Sequence, residues 1–599
     1  MPAAAIELAY RLGPSYALLA DAVRRDEEWL LRVLSSTAAA DPFTGRLLEI
    51  ARLVRHLDGD ERQPAVLGLL RSDYMIDDAV ARGSAPGSAD RLLQVELNTV
   101  AAGFAAISTR VSEVHATVSA PAMARSGVVS RPLTSPAAPQ AGWTTAAAGA
   151  SLAVVAGPTC PAVAKDGATA DQAGLPPAAP AGAGGLPTAR ATTAAAVASY
   201  DLPPNSALAG MAASLAAAAR EYSARMGPAG TTPKAGSAAE PVVLCVVQPR
   251  ERNFSDQRLL ETALLRDHGV RTVRRTLEEL AGCAVLTPRP DADALVTSDA
   301  PDAASGSPLS SRRLFLRPGP SSGASATDGA PPRDADAGAP PGPLRPSASS
   351  PPCEVAVIYL RSGYGPGDYG DGDATLADSP QWRARLLLER SAAVRSPDVW
   401  VQLVGAKKVQ QVLARPGALE RFLGDSPEAA ELRSSFAGLW SLDFAEMEDD
   451  EAATADARAA VADATERPER YVLKPQREGG GHNFFGRQMV SALRSWPASR
   501  LAGFILMQRI DPAMQMAAVV RGGKVDVVPT LCEFGIYTGV LGTGARRSFE
   551  GATIADAIEG VAVNATFGHL VRTKTVGTDE GGVAAGFAVL DSPWLTRDE

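Results

Sequence analysis

The sequence predicts an α/β fold, in which strands alternate with helices along the chain. The prediction rests on short apolar runs typical of strands, on segments with helical spacing between them, and on polar clusters that follow the apolar runs. The strand-like runs are RLLQVEL (91–97), PVVLCVV (241–247), EVAVIYL (354–360), RYVLKP (470–475) and FILMQRI (504–510). Helical spacing of apolar residues covers 10–56, with a new helix starting at Asp41-Pro42, and recurs in 256–269 and 381–394.

The composition is that of an acidic globular protein. Of the 599 residues, 46% are hydrophobic and 21% are charged, and the formal net charge is -9. This acidic excess argues against a general nucleic-acid binder, which usually carries basic charge. The length is sufficient for about two to four domains.

The cysteines, histidines and N-terminus point to a cytoplasmic protein. The five cysteines are scattered without a CxxC pair, which is typical of reduced thiols. The five histidines lack zinc-ligand spacing. The N-terminus has no signal-peptide pattern, and we find no uninterrupted apolar run of about 18 residues, so we expect no interaction with membranes.

Two stretches differ in composition from the rest of the chain. Residues 119–200 and 284–351 are dominated by Ala, Pro, Gly, Ser and Thr. Such segments bury too little apolar surface to offset their ordering entropy, so we expect disordered surface loops. A folded core tolerates them, because the cost of closing a loop grows slowly with its length. The remaining blocks are 1–118, 201–283, 352–410 and 411–599.

Polar side chains follow four of the predicted strands. In open α/β sheets, ligands bind beyond the carboxyl ends of strands, so four such clusters together predict one shared site. Each cluster alone is better explained as a solvated loop. The clusters are Glu96 and Asn98; Glu251, Arg252, Asn253, Asp256 and Gln257; Arg361 and Tyr364; and Lys474 with residues 476–483.

The strongest local pattern contains Gly479, Gly480 and Gly481 in succession, preceded by Lys474. Consecutive glycines let backbone N–H groups approach a phosphate, and the lysine adds a positive charge. The Walker A pattern GxxxxGK[ST] is absent, so this is not a P-loop. A plain glycine-rich turn is the alternative.

Two further groups of residues suit nucleotide chemistry. Glu96, Asn98 and Glu478 are candidate Mg²⁺ ligands, because Mg²⁺ prefers oxygen ligands and takes few from the protein beside nucleotide phosphates. Arg572 and Lys574, followed by a glycine-rich stretch, suit a substrate carboxylate and a phosphate. Taken separately, these groups are better explained as surface or capping residues and as a basic strand before a turn.

These clusters, in this order, resemble the eukaryotic glutathione synthetase family of ATP-grasp ligases. The similar stretches cover most of the chain outside the two Ala- and Pro-rich ranges, and LKPQREGGG is among the most specific. They include LGLLRSDYM (67–75), QVELNT (94–99), ERNFSDQR (251–258), VAVIYLRSGY (355–364), the block 382–417, YVLKPQREGGGHN (471–483), CEFGIY (532–537) and GHLVRTKTVGTDEGGVAAGFAVLD (568–591).

The resemblance implies a fold, a reaction and an assembly. The implied fold is ATP-grasp, with an α/β substrate-binding domain in 201–283 and 352–410. Residues 1–118 then supply N-terminal helices and the strand with the metal ligands, and 411–599 form the ATP-grasp domain with a glycine-rich lid and a C-terminal substrate loop. The implied reaction joins glycine to γ-glutamylcysteine with ATP and Mg²⁺, through an acyl phosphate. The implied assembly is a homodimer.

The resemblance also implies roles for individual residues. Lys474, Glu478 and Arg572 are expected to be catalytic, and Glu96, Asn98 and Glu478 to bind the metal. The implied ATP-binding residues are Glu96, Lys407, Lys474, Gly479, Gly480, Gly481, Asn483, Phe485, Met507, Gln508, Arg509, Ile510, Glu533, Lys574 and Glu580. The implied substrate-binding residues are Arg71, Glu251, Arg252, Asn253, Gln257, Arg361, Tyr364, Arg572, Val583 and Ala584.

The sequence departs from the family pattern at a few positions. Ala101 and Gly103 stand where the family usually has serines that contact the γ-glutamyl end, so two hydroxyls are absent. Gln508 replaces a usual acidic residue, and Phe485 a common tyrosine. The family normally has some tens of residues before the part that matches Ala9 and Tyr10, which leaves a misassigned initiator and a truncation both open.

Other functions remain open on the sequence alone. One is a non-catalytic relative that binds nucleotide or thiol peptide, motivated by the lost hydroxyls. Another is a ligase that takes a different amine in place of glycine, and a kinase that stops at phosphate transfer is less well supported. The retained Glu96, Asn98, Lys474, Glu478 and Arg572 favour the active ligase.

Overall fold

The protein is described by a computed structural model that covers residues 1–78, 91–126, 200–227, 240–287, 308–317, 352–370, 374–478, 481–578, 582–583 and 586–596. Within these residues it has the predicted mixed α/β architecture, built around a 12-stranded sheet. None of the helices in this part of the chain is long and apolar enough to cross a membrane.

The strands fall into the large sheet, a three-stranded sheet and a short strand pair. They are β1 (Val66–Asp77), β2 (Arg91–Asn98), β3 (Tyr200–Asp201), β4 (Val242–Val246), β5 (Thr272–Arg275), β6 (Ala284–Thr287), β7 (Arg313–Leu316), β8 (Cys353–Leu360), β9 (Val394–Ser396), β10 (Leu439–Ser441), β11 (Tyr471–Pro475), β12 (Phe504–Gln508), β13 (Gln515–Arg521), β14 (Lys524–Gly542), β15 (Val561–Thr575), β16 (Ala588–Asp591) and β17 (Leu595–Thr596).

Helices lie between many of the strands. They are α1 (Ala3–Arg25), α2 (Glu27–Val33), α3 (Ser35–Ala40), α4 (Pro42–Asp58), α5 (Ala105–Ser126), α6 (Ala207–Met226), α7 (Phe254–His268), α8 (Leu277–Cys283), α9 (Pro380–Arg390), α10 (Val399–Val404), α11 (Lys407–Leu413), α12 (Glu420–Leu423), α13 (Pro427–Ser434), α14 (Glu451–Glu466), α15 (Gly486–Ser495), α16 (Ala498–Leu501) and α17 (Ile554–Ile558).

Strand β1 joins the parallel and antiparallel parts of the large sheet. On one side it runs parallel to β9, and the sheet continues in parallel through β8, β4 and β5. On the other side it pairs antiparallel with β14, which is followed by β15 and β16. The second half of β1 also pairs with β2. Because β1, β4 and β8 run in the same direction, the polar residues that follow β4 and β8 lie at the same edge of the sheet.

The strands predicted from apolar runs are present as β2, β4, β8, β11 and β12. Helix α4 begins as predicted, with Pro42 as its first residue and the Asp41 carboxylate accepting a hydrogen bond from the Thr44 N–H at 2.9 Å. Helix α7 ends at His268, followed by Gly269 at φ 70°, a left-handed conformation that glycine adopts readily. The central strand β1 is absent from the prediction.

The two Ala- and Pro-rich ranges contain more regular structure than predicted. The prediction of a surface loop throughout 284–351 is wrong for Ala284–Thr287 and Arg313–Leu316, which pair as β6 and β7 and are buried. β7 also pairs with β8, so its apolar side chains join the main core. In the first range, α5 continues to Ser126 and β3 begins at Tyr200. Residues 127–199, 288–307 and 318–351 lie outside the described residues.

The three-stranded antiparallel sheet has β12 between β10 and β11. Its apolar face packs in a cluster with α14 and α15 that includes Leu473, Met489 and Leu506, all fully buried. Lys474 lies on β11, and residues 476–483 follow that strand. This sheet therefore carries the segment predicted to bind phosphate.

His569 of β15 is buried between β15 and α1. Its side chain is 1% exposed, and its Nδ1 lies 2.7 Å from the hydroxyl oxygen of Tyr10. Burial lowers the pKa of His569 to about 4, because desolvation penalises the charged imidazolium. His569 therefore stays neutral in the folded protein at pH values where an exposed histidine is protonated.

We expect His569 to make the protein less stable as the pH falls from about 6.5 towards 4. In this window the unfolded chain binds a proton at residue 569 and the folded chain does not, and the full shift corresponds to about 3 kcal/mol. The measurement is Tm at pH 7.5 and pH 5, at one scan rate, for the wild type and His569→Gln. The decrease in Tm should be smaller in the variant, and an equal decrease would contradict the prediction.

Candidate active site

One face of the large sheet carries a row of charged side chains. Successive residues of a strand point to opposite faces, so Arg71 and Asp73 of β1 share a face. On β2, Asn98 lies opposite Arg71 and Glu96 lies opposite Asp73. All four side chains therefore point to the same side of the sheet.

The same face continues onto β14 and β15. Gly535 of β14 lies opposite Asp73 on its other side, and Glu533, two residues earlier, lies opposite Arg572 of β15. Arg572 Nη2 donates hydrogen bonds to Asp73 Oδ2 at 2.8 Å and to Glu533 Oε1. Lys574 is two residues beyond Arg572 and is buried. The sheet thus brings together Arg71, Glu96, Asn98, Glu533, Arg572 and Lys574, which the sequence analysis assigns to metal, ATP or substrate.

Two lysines from outside this sheet neutralise Glu96. Lys407 Nζ, at the start of α11, lies 3.1 Å from Glu96 Oε2, and Lys474 Nζ donates to the backbone oxygen of Val95 at 3.0 Å. Burial alone would raise the pKa of Glu96, but Lys407, Lys474 and Arg572 outweigh it and hold the value at about 2. Glu96 is therefore an anion held between cations.

Lys474 is itself perturbed by this environment. Its side chain is buried, and burial together with the charge of Lys407 lowers its pKa to about 8, although Glu96 acts in the opposite direction. A buried cation beside a second cation favours an incoming anion, because the anion restores charge balance. Lys407 and Lys474 can thus hold the phosphates of a nucleotide.

Glu478 is held against the loop that follows β2. Its carboxylate accepts hydrogen bonds from the Thr99 hydroxyl at 2.8 Å, the Thr99 N–H at 3.2 Å and the Val100 N–H at 3.3 Å. Burial raises the pKa of Glu478 to about 7, although Lys407 and these hydrogen bonds act against the shift. The neighbouring Arg477 forms an ion pair with Asp41 at 2.7 Å, which ties this segment to the start of α4.

The donor set fits a magnesium ion. Asn98 Nδ2 donates to Asp73 Oδ2 at 3.0 Å, so its Oδ1, the atom that can bind a cation, points away from Asp73. Together with Glu96 and Glu478 it offers carboxylate and amide oxygens, which are ligands that Mg²⁺ prefers. No group of three His, Cys, Asp or Glu side chains in the described part of the chain is arranged to hold a metal, and this set instead has two carboxylates and one amide.

A second polar group lies beyond β4 and β8. Glu251 accepts a hydrogen bond from Gln257 Nε2 at 2.6 Å and from the Asn253 N–H at 2.8 Å. Arg361, at the end of β8, is buried, and its Nε and Nη1 have no hydrogen-bond partner among the described residues. Tyr364 accepts a hydrogen bond at its hydroxyl from the side chain of Gln248. These residues can bind the amino-acid end of a substrate.

The loop after β2 connects the two groups. The backbone oxygen of Gly103 accepts hydrogen bonds from Arg71 Nη1 at 3.3 Å and from the Tyr537 hydroxyl at 2.5 Å. A methyl group on Gly103 would lie only 2.9 Å from Arg361 Nη2 and 3.1 Å from Asn253 Nδ2. Gly103 therefore lets these two predicted substrate residues approach the loop more closely than a side chain would allow.

The predicted adenine-binding residues lie on β12 and just after it. Met507 and Ile510 are buried in an apolar cluster that Phe485 packs against. The side chain of Gln508 is held at the start of β10, because its Oε1 accepts a hydrogen bond from the Gly438 N–H at 3.0 Å. Arg509 donates its backbone N–H to Arg470 at 2.8 Å. This arrangement supplies an apolar surface for a flat ring.

The remaining predicted residues are more exposed or lie outside the described residues. Arg252 is exposed, and Asn483 is half-buried in the segment after the glycines. Gly481 has φ 96°, and Val583 is partly buried. Gly479, Gly480, Glu580 and Ala584 lie outside the described residues.

Asp73 was not predicted from the sequence, and Asp256 was predicted only as a member of the polar cluster after β4. Asp73 contacts three predicted residues, and its only signal was a charged side chain two residues after Arg71 in an apolar strand. Asp256 accepts hydrogen bonds from the N–H groups of Phe104, Ala106 and Ile107 at 2.9–3.1 Å, and so holds the start of α5. The sequence analysis placed Asp256 in this cluster but did not predict its contact with α5.

Comparisons with known proteins identify the family of this chain. The family described as "Eukaryotic glutathione synthase, ATP binding domain" matches residues 1–141 and 187–595. Glutathione synthetase of Homo sapiens is 32% identical over 597 residues, covering 99% of this chain and 88% of that protein. The chloroplastic glutathione synthetase of Solanum lycopersicum is 32% identical over 590 residues, covering 98% of this chain and 74% of that protein.

A solved structure shares the fold. The apo form of a glutathione synthetase-like effector (GSS30) from Globodera pallida has a TM-score of 0.52 and 17% sequence identity, covering 100% of this chain and 88% of that one. The family match extends over most of the chain, and the curated relatives match it nearly end to end. The chain therefore belongs to the eukaryotic glutathione synthase family.

Proposed function

We propose that this protein is a glutathione synthetase, which joins glycine to γ-glutamylcysteine at the expense of ATP. The observation that carries the proposal is the buried group of Lys407, Lys474 and Glu96, which lies where the three-stranded sheet meets β2 of the large sheet. These cations lie beside the substrate-side residues Arg71 and Arg572, so phosphate and carboxylate sites adjoin. Family membership gives the reaction class.

The reaction needs an activated carboxylate. An oxygen of the cysteinyl carboxylate attacks the γ-phosphorus of ATP, the bond to the β–γ bridging oxygen breaks, and ADP leaves. The neutral amine of glycine then attacks the acyl carbon, phosphate leaves with the electrons of the C–O bond, and the amine proton is lost to solvent. Positioning and charge neutralisation account for most of such catalysis.

The protein's own side chains would divide these tasks. Lys407 and Lys474 would hold and neutralise the phosphates, and Arg71, Arg361 and Arg572 would bind substrate carboxylates through their planar guanidinium groups. The glycine-rich segment after Glu478 would cover the site and exclude water, which otherwise hydrolyses the acyl phosphate.

Glu96, Asn98 and Glu478 would hold magnesium. When bound, Mg²⁺ neutralises charge on the phosphates and orients them. Glu478, with a pKa raised to about 7, is best suited to this role above neutral pH, where it is ionised.

The test is release of ADP by the purified protein with ATP, Mg²⁺, γ-glutamylcysteine and glycine, omitting one component at a time. Turnover that requires all four, with glutathione identified as the product, supports the proposal. Other small amines in place of glycine test the alternative ligase. ATP binding without turnover would instead favour the non-catalytic relative.

Arg572 offers a more specific prediction. Arg572→Ala should raise the KM for one of the two amino-acid substrates by about 10- to 100-fold, because a hydrogen bond to a charged group contributes about 1.5–3 kcal/mol. The change in kcat should be smaller. Steady-state kinetics with each substrate varied in turn measure both constants.

Arg62 provides the matched control for Arg572. It is also buried, and it forms a bidentate ion pair with Glu27 at 2.6 and 3.2 Å, away from the candidate site. Arg62→Ala should lower Tm without changing either KM. Unchanged KM values in Arg572→Ala would show that this arginine does not bind substrate.

We also propose a homodimer in a reducing compartment such as the cytoplasm. The homodimer follows family analogy, and the compartment is supported by Cys245, Cys283, Cys353 and Cys532, all of which are free thiols. Sedimentation of the purified protein tests the assembly, and a monomer at micromolar concentration would contradict it.

A further inference from the structure

Asp73 lies at the centre of the charged sheet face. Its side chain is completely buried, on the central strand β1, between Glu96 of β2 and Gly535 of β14. A buried carboxylate is costly unless charged or hydrogen-bonding partners surround it. Asp73 has such partners from three different strands.

The partners of Asp73 are residues assigned to different ligands. Arg71 donates from Nε to Oδ1 at 2.6 Å and from Nη2 to Oδ2 at 2.8 Å, a bidentate pair. Arg572 Nη2 donates to Oδ2 at 2.8 Å, and Asn98 Nδ2 donates to the same oxygen at 3.0 Å. One carboxylate thus contacts two candidate substrate arginines and one candidate metal ligand.

These contacts fix the orientation of each partner. The bidentate pair defines the plane of the Arg71 guanidinium, and its Nη1 then reaches Gly103 of the loop after β2 at 3.3 Å. For Asn98, the hydrogen bond from Nδ2 to Asp73 fixes which end of the side-chain amide is turned away from Asp73. That end is Oδ1, the only side-chain atom of Asn98 that can bind a cation.

The sheet makes room for this arrangement at Gly535. A methyl group on Gly535 would overlap Oδ1 of Asp73 and approach the Arg71 Cδ to 2.7 Å. The absence of a side chain on β14 is therefore a condition for the Asp73–Arg71 pair to occupy its position. This gives a way to displace the pair without altering any charged residue.

We propose that Asp73 is a positioning residue that sets the orientation of Arg71, Arg572 and Asn98 at once, and thereby couples substrate binding to metal binding. The inference rests on the proposed function. It assigns Asp73 no contact with a reacting atom. Its effect on the reaction passes through the three side chains that it holds.

Asp73→Asn is the direct test. An amide keeps the shape but places an N–H group against the guanidinium groups, which also donate. We expect the KM for γ-glutamylcysteine and the Mg²⁺ concentration for half-maximal activity each to rise by about 10- to 100-fold, the range for groups that orient metal ligands. The dissociation constant of γ-glutamylcysteine, measured by calorimetry without ATP or metal, should rise as well.

Asp58 provides a matched control. It too is fully buried and binds two arginines, Arg390 at 2.8 Å and Arg312 at 2.5 Å, away from the candidate site. Asp58→Asn should lower Tm and leave the KM values and the Mg²⁺ requirement unchanged. A purely structural Asp73 would behave in the same way, with fewer active molecules but normal constants.

Gly535→Ala gives a second measurement if Asp73→Asn does not fold. It should raise the KM for γ-glutamylcysteine and the Mg²⁺ requirement as well, but by smaller factors. Normal constants in whichever variant folds would overturn the inference. If the wild type binds the dipeptide but does not turn over, only the proposed function fails, and the calorimetric comparison still decides the role of Asp73. A wild type that binds no dipeptide would overturn both.

Discussion

Replacing Lys474 by methionine is expected to lower kcat by about 100- to 1,000-fold, with a smaller effect on the KM for ATP. The lysine is buried beside Glu96 and Lys407, so its charge acts in a poorly screened environment. Charge on the transferring phosphoryl group is where such a cation acts most strongly. Methionine fills a similar volume, which separates the loss of charge from the loss of packing.

Lys408 is the matched control for Lys474. It is also a buried lysine, but its Nζ donates to Ser441 at 3.0 Å and forms an ion pair with Glu446, on the other side of α11. Lys408→Met should lower Tm by a comparable amount while kcat stays within about threefold of the wild type. A folded Lys474→Met protein that keeps more than about a tenth of the wild-type kcat would contradict the phosphate role. Rapid-quench measurement of ADP formation compares the two variants.

Glu478→Gln should give the second-largest effect, a fall in kcat of about 100-fold together with a higher Mg²⁺ requirement. Glutamine keeps one acceptor for Thr99 and Val100 but removes the negative charge that the metal needs. The pH dependence should change too. The raised pKa of about 7 means that wild-type kcat/KM falls as the pH drops below 7, because Glu478 gains a proton, and the variant should lose this acid limb.

Glu446→Gln serves as the control for this variant. Glu446 is a partly exposed carboxylate paired with Lys408, so its loss removes a charge without touching the candidate site. We expect its Mg²⁺ dependence and pH profile to match the wild type. The proposed metal role of Glu478 would be disproved by a Glu478→Gln protein with a normal Mg²⁺ requirement.

Much of the fold was predictable because periodicity is a local property. Apolar runs such as 242–246 and 504–507 lie in strands β4 and β12. Strand β1 was missed because Arg71, Ser72 and Asp73 interrupt its apolar pattern. Arg71 and Asp73 pair with each other, but the other partners of Asp73 are Asn98 on β2 and Arg572 on β15. No local pattern can show partners that are so distant in sequence.

The residues of the candidate site also divide into those with a local sequence pattern and those without one. Glu96, Asn98 and Lys474 were found from the residues alone, because they stand at strand ends or beside glycines. Lys407 was identified only through the family resemblance, since it begins a helix and lies neither at a strand end nor in a glycine-rich segment. Strands β6 and β7 were missed because each is a four-residue run within Pro- and Ala-rich sequence, and their pairing with β8 is non-local.

Strand pairing at β6, β7 and β8 has a further consequence for how this gene can change in length. Thr287 lies opposite Arg313, and Leu316 lies opposite Cys353, so the chain leaves and re-enters the sheet at adjacent positions in both cases. Insertions between such points add little closure entropy. Related genes can thus gain or lose dozens of codons here without disturbing the register of the sheet, and the same points are natural places to splice in a reporter domain.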